Sequence, residues 1–351
     1  MSDDLLSDAP SGGPAHESAG QSTGQSPGRR WFKPRFPRPS GGALWRTGKW
    51  LALVLLVLAV FYYPIGMLVV HRINDDPTFG DTKAGAAEVP AGASQAVATA
   101  AAMIDREVNQ SPWPENDPPF MPGWMLDNMP NFQVGMIGAL KRFSIELQDQ
   151  IGRSRGTSGA DTDLQAAVGA LNYRPDVWVW DPRISIWPTA SSEDQYRNGM
   201  KALLKYNDRL ARGQATFERR ADNLLSTLDR IGKDLGAASN EIDHSIDSDA
   251  GSWIDFHADD VFYYNKGLLY ANALLLRDLG KDYAAVLSEK GASAIWTRMV
   301  GSMMEGAELK PWVIVNGRPD ALMQPNHLAS QGFYLLRARA QLEELTDILQ
   351  K

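Results

Sequence analysis

The 351-residue sequence contains no cysteine. Disulfides, thiolate nucleophiles, iron–sulfur clusters and Cys-ligated zinc are therefore excluded. Charge is missing from a second place: Trp50–Val70 is a run of twenty-one residues without Asp, Glu, Lys or Arg. As a helix it would extend about 31 Å, roughly the hydrocarbon thickness of a bilayer. Acidic residues are missing from a third: between Arg29 and Lys49 stand Arg29, Arg30, Lys33, Arg35, Arg38, Arg46 and Lys49 with no Asp or Glu among them. The positive-inside rule then keeps the N-terminus in the cytoplasm and sends the remainder outward. Apolar surface is scarce in residues 1–28, which are mainly Ser, Gly, Pro, Gln and Ala with a few acids. Burial there cannot offset the entropy of ordering, so a disordered cytoplasmic head is expected.

The rival reading of the apolar run is a cleaved signal peptide, whose apolar region is usually about 7 to 15 residues long and ends at a small-residue site. The run here is longer, and the small-residue site around Ala84 and Ala86 lies well past Val70. An uncleaved anchor fits better. Pro64 and Gly66 within it are tolerable where freed backbone groups find other partners. Trp45 and Trp50 fall at the cytoplasmic headgroup level.

Up to His71 there are seven basic and four acidic residues; beyond it there are 28 and 38. So acidic a main domain lacks the basic footprint that phosphate binding needs, and nucleic acid is not expected as a partner. The basic segment 29–49 suits topology and anionic lipid instead. Residues 71–93, rich in Ala, Gly, Asp and Pro, read as a flexible linker. Residues 94–351 are long enough for one large domain or two small ones.

Helical periodicity dominates that domain. A first helix is expected over Ser94–Gln110 with Ser94 as N-cap. Ser111–Pro130, with its prolines and Trp113, Phe120 and Trp124, suits neither helix nor central strand. Further helices are expected from Asn131 to about Gly152 and from Asp161 to Tyr173. Val177–Pro188 reads VWVWDPRISIWP, two β-type runs around an Asp181-Pro182-Arg183 turn that predict a short hairpin or flap. From Ser191 to about Ile242 no proline intervenes, and Leu203, Leu210, Phe217, Leu224, Ile231 and Ala238 recur every seven residues. Ala221, Leu228, Leu235 and Ile242 repeat at the offset of four. This predicts one long helix packed within a bundle, with a coiled coil between chains as the alternative; Asn207 and Gln214 interrupt the seam. Helices over Val261–Leu279, ended by Gly280, and over Asp282–Gly306 follow. Trp312–Val315 is an extended run, and a helix from Asn326 to Leu349 closes the chain. The expected fold is mainly α: one N-terminal transmembrane helix, then a helical bundle with a long helix and short extended or hairpin loops.

Candidate sites are weak. Glu241–Asp260 collects Asp243, His244, Asp247, Asp249, Asp255, His257, Asp259 and Asp260. The spacing fits a calcium loop poorly, because Gly251 falls one position early and Ala258 stands where a bidentate Glu is required. Solvated acids between helices explain the cluster, and no metal site is assigned. His257 and His327 have the chemistry of a general base, but no nucleophile stands near either. G-x-S-x-G, H-E-x-x-H and G-x-x-x-x-G-K-[ST] are all absent, so no catalytic residue and no cofactor is assigned, and the balance leans away from an enzyme. Trp113, Trp124, Trp178, Trp180 and Trp187, with His257, form a candidate ligand platform, since aromatic faces suit sugars, peptides or a partner's anchor. Packing over the helical core is the ordinary alternative. In DDVFYYNKGLLYANALLLRDL, core packing with a buried tyrosine hydroxyl is expected.

The stretches WPENDPPFMPGWMLDNMPNFQ (Trp113–Gln133), FYYNKGLLYA (Phe262–Ala271) and NHLASQGFYLLRARAQLEEL (Asn326–Leu345) follow a single N-terminal span. With it they resemble a family of proteobacterial inner-membrane proteins, domain of unknown function two-three-three-three. The resemblance implies a bacterial inner membrane and carries over no site residue. The expected role is interaction or scaffolding in the cell envelope, with the bilayer and a second copy or an envelope protein as partners. The alternative is a membrane-tethered periplasmic enzyme or ligand-binding protein acting on cell-wall material.

Overall fold

The computed structural model describes residues 41–81, 88–154, 161–180, 182, 185–249, 256–318 and 324–351. The expected disordered head and residues 29–40 of the basic segment lie outside them. The chain divides into two units, one ending at Val54 and one running from Leu55 to Lys351. Helix α1 (Gly41–Val70) contains a stretch, Trp45–Val70, long and apolar enough to cross a membrane. In the first unit Lys49 Nζ lies 3.5 Å above the Trp45 ring.

Among the described residues nine α-helices follow: α2 (Gln95–Asp105), α3 (Asn128–Ser154), α4 (Thr162–Leu171), α5 (Ser192–Ala211), α6 (Ala221–Asp249), α7 (Phe256–Asp282), α8 (Ala284–Glu289), α9 (Ser293–Ala307) and α10 (His327–Gln350). No strand occurs among the described residues; a single bridge joins Asn316 and Asn326. The bundle is built around α7, which packs on α3, α9, α2, α6 and α10. An unbroken buried run from Asn265 to Leu276 shows that this helix is enclosed on nearly every side, as an interior helix must be. The closest approach is with α3. A Cβ on Gly135 would collide with the Tyr264 carbonyl, and one on Gly267 with the Phe132 carbonyl. The paired glycines thus bring the two backbones together, the same device small residues provide between membrane helices.

The helix starts follow side-chain chemistry. Ser94, Asp161, Ser191 and Asn326 each accept a backbone N–H in the first turn of the helix they cap. The Asp282 carboxylate adds to the first cap, accepting from Ser94 Oγ at 2.6 Å and Gln95 N at 2.9 Å.

Several expectations are corrected. The long helix over 191–242 is two, α5 and α6, because Gly213 adopts φ +70° just past α5 and turns the chain. The Tyr206 hydroxyl donates to Thr216 O at 2.8 Å, closing the connection so that Phe217 still packs on the core. The seven-residue seam is nonetheless the buried face, and its Leu203, Leu224, Leu228 and Leu235 are wholly inaccessible within one chain. Asn207, which interrupts the seam, holds the Ser94 backbone through both amide atoms, at 2.8 and 3.1 Å. The helix expected over 282–306 is likewise split, at Gly291 with φ +63°. Gly280 caps nothing: it lies inside α7, where a Cβ would strike the Trp296 indole. At 177–188 no hairpin ladder forms among the described residues; two backbone bonds, Thr189 N to Val179 O at 2.8 Å and Ser192 N to Val177 O at 3.0 Å, cross its base, and Asp181, Arg183 and Ile184 lie outside the description.

Candidate functional site

Three places in the second unit gather chemistry. The first is a clasp on α7. Lys266, Tyr270 and Arg277, spaced by four and seven residues, share one stripe of that helix. Lys266 is 2 % exposed and donates to Asp75 Oδ2 at 2.8 Å, to Leu309 O at 2.8 Å and to Ala307 O. The Tyr270 hydroxyl donates to Asp76 O at 2.8 Å and accepts from Arg106 Nη1 at 2.9 Å. Arg277 donates to Pro77 O and Phe79 O at 3.0 and 2.8 Å. Arg106 in turn stacks over Phe79 at 4.5 Å and pairs with buried Glu107 at 2.6 Å. Burial pulls the Asp75 carboxyl upward, but hydrogen bonds and charges from Lys266 and Lys310 outweigh it and hold the group below its ordinary value. The Asp75 carboxylate is therefore ionised at neutral pH, while burial lowers the Lys266 ammonium against the opposing pull of Asp75. The segment immediately after α1 is thus fastened to the core of the domain. The expected buried tyrosine hydroxyl is Tyr270. A lysine inside an otherwise apolar helical run was the only sequence signal for the clasp.

The second place is a cleft of about 370 Å³ between α3, α6 and α7. Its polar wall is Asn131, Arg142, Asp234, Glu241, Asp260 and Asn265. Arg142 pairs with Asp234, and Asn131 Nδ2 donates to Asp260 Oδ1 at 2.7 Å. Asn265 is 1 % exposed and its Nδ2 has no protein acceptor. An unmet buried donor is costly unless a ligand or water takes it. His257 stands at the rim, 3.9 Å from Glu241 Oε1.

The third place is the pair of aromatic loops. Trp113 is buried, donates to Pro175 O at 2.9 Å and meets Tyr196 edge to face. Trp124, Trp180 and Trp187 are exposed; Trp178 is half-buried and meets Phe120 at 5.7 Å. None of the five tryptophans lines the cleft. His327 Nδ1 accepts from Val315 N at 3.0 Å, and burial lowers its pKa.

Carboxylates beneath these loops are perturbed. Burial, with Asp176 and Asp260 nearby, pushes Glu115 up to about 7. Burial with Asp127 and Asp260 does the same to Asp259, and burial with Glu193 raises Asp117 to about 6. Among the described residues no group of three His, Asp or Glu is arranged to hold a metal. In the acidic stretch Asp243, His244 and Asp247 are exposed on α6, while Asp255 lies outside the description.

A family model described as "uncharacterized protein conserved in bacteria (DUF2333)" matches residues 39–253 and 249–351, and the chain belongs to that family. No curated protein and no solved structure matches the chain.

Proposed function

We propose that this bacterial protein is a single-pass inner-membrane protein whose helical domain faces the periplasm and acts by binding an envelope partner or a second copy of itself. The seven basic residues of 29–49, unopposed by acids, support that orientation. The observation that carries a scaffold role is the α7 clasp: Lys266, Tyr270 and Arg277 fix the chain leaving the anchor, so the domain is held in place rather than swung on a tether. A module that presents a partner at a set height needs such a fastening; a freely diffusing enzyme does not. The test is the native mass and protein composition of the tagged full-length chain, purified from its own membranes in mild detergent at moderate salt. A stoichiometric partner or a defined homo-oligomer is expected. A clean monomer carrying nothing would overturn the reading.

The cleft favours a second reading, a membrane-tethered receptor or enzyme for cell-wall fragments, because the Asn265 amide is left open to a ligand acceptor. Peptidoglycan fragments would then raise the unfolding temperature of the native chain and lose that effect in Asn265→Ala. Equal shifts in both proteins would dismiss it.

A further inference from the structure

Pro118–Leu126, PPFMPGWML, is nine residues without a charge, bounded by Asp117 and Asp127. Its apolar side chains are turned outward: Phe120 is 60 % exposed, Trp124 54 % and Met125 56 %. Left in water, three neighbouring large apolar groups are an unusual surface. The loop is also joined to α1. The Tyr63 hydroxyl donates to Pro119 O at 2.7 Å and the Tyr62 hydroxyl to Phe120 O at 3.1 Å. Gly66 faces Pro122 so closely that a Cβ would collide with the proline ring.

Those contacts set a depth. Gly66 lies four residues before the helix end at Val70, and Tyr62 eight, which is about 6 to 12 Å back along the axis. If α1 spans a bilayer, its last 12 Å lie within the adjoining leaflet, whose hydrocarbon is about 15 Å thick. We infer that Pro118–Leu126 dips into the leaflet on the domain's side, with Phe120, Trp124 and Met125 in contact with lipid, as a second membrane attachment besides the span. This rests on the reading of α1 as the anchor.

The backbone is prepared for such a place, where unpaired polar groups are costly. Pro118, Pro119 and Pro122 have no N–H to leave unmet. Met121 N, Trp124 N and Leu126 N donate to Pro118 O, Met121 O and Gly123 O at 2.8, 3.3 and 2.9 Å. Two exposed carbonyls, of Pro119 and Phe120, are those taken by the tyrosines of α1. Gly123 permits the sharp fold, since a Cβ there would run into the Asp117 carboxylate. The Trp178 ring, packed on Phe120, continues the apolar surface toward exposed Trp180 and Trp187. Aromatic side chains of this kind collect at membrane interfaces. Immersion of about 5 to 10 Å is ordinary for segments that lie in the interface without crossing it.

The absence of native cysteine makes the test clean. In the full-length chain, Phe120→Cys, Met125→Cys, Leu58→Cys in the span and Ala285→Cys beyond the far end of α7 each receive one environment-sensitive fluorophore. The labelled proteins are placed in phosphatidylcholine–phosphatidylglycerol vesicles and exposed to aqueous iodide or to brominated acyl chains. The expected result is loss of most emission to brominated lipid, with iodide without effect, at 58, 120 and 125, and the reverse at 285. Iodide quenching at 120 and 125 with lipid quenching kept at 58 would overturn the loop while sparing the anchor. Shielding of 120 and 125 from both quenchers would mean a protein covers the loop and would equally overturn it. Iodide quenching at 58 would remove the anchor and the loop together.

Discussion

The α7 clasp and the Pro118–Leu126 loop both fasten the main domain near the end of α1, yet they are built oppositely. The clasp is polar and buried, with Lys266 2 % exposed among oxygen acceptors. The loop is apolar and outward, with Phe120 60 % exposed. A buried charge is tolerated only when every partner is present, so the clasp specifies one arrangement and is intolerant of change. An exposed apolar loop is indifferent to substitution in the folded chain and gains its energy only where something apolar covers it.

The largest expected effect lies beneath the clasp. Gly267→Val drives a side chain into the Phe132 carbonyl and should cost more than about 4 kcal/mol, read as protease sensitivity or loss of cooperative melting. Gly169→Ala, where nothing lies within 4 Å, should be neutral or slightly stabilising. Next, Lys266→Met leaves Asp75 to Lys310 alone and strands two carbonyls, and should cost roughly 3 kcal/mol. Adding Asp75→Leu should return much of it. If the double variant melts as low as the single one, packing rather than charge holds the clasp.

A smaller effect is expected of the carboxylates. Glu115 and Asp259 are raised to about 7, above their unfolded values, so the stability tied to their protonated forms is complete at about pH 4 and is lost as pH rises through 7. Glu115→Gln with Asp259→Asn should flatten that decline. The gain at pH 8 should be about 1–2 kcal/mol, because both sites are partly solvated, with none at pH 4. Melting temperatures across that range decide it. Least of all, Phe120→Ser and Met125→Ser should shift melting in detergent by under about 0.5 kcal/mol while weakening quenching by brominated lipid in vesicles. A large loss of stability in detergent would show that the loop belongs to the core.

Much of this comparison was half-visible in the chain. WPENDPPFMPGWM announced an irregular aromatic loop, because three prolines in five residues fit neither periodic structure. Its tie to Tyr62 and Tyr63 joins residues more than fifty positions apart and leaves no local pattern. The stretch around Lys266 read as core packing with a buried tyrosine hydroxyl, and the lysine's partner Asp75 is 191 positions away, in a segment that composition assigned to a linker. The seven-residue seam identified buried positions correctly and the helix length wrongly, since local period says which face is apolar and not whether Gly213 turns left-handed. Gly280 was misread for a related reason: a glycine near a helix end signals a cap, and only the neighbouring Trp296 reveals close packing instead.

By itself the sequence determined the apolar run able to span a bilayer, the helical class, the cap at Ser94, the helix starts at Asp161, Ser191 and Asn326, and the buried seam of α5 and α6. These depend on hydrophobic length, period and first-turn hydrogen bonds, all of them local. The tertiary structure alone decided where α5 and α6 part, that Gly135 and Gly267 bring two backbones together, and that Asp75 meets Lys266 while Pro119 and Phe120 meet the tyrosines of α1. All but the first are contacts between distant segments, whose energy exists only once the chain has closed the intervening loop.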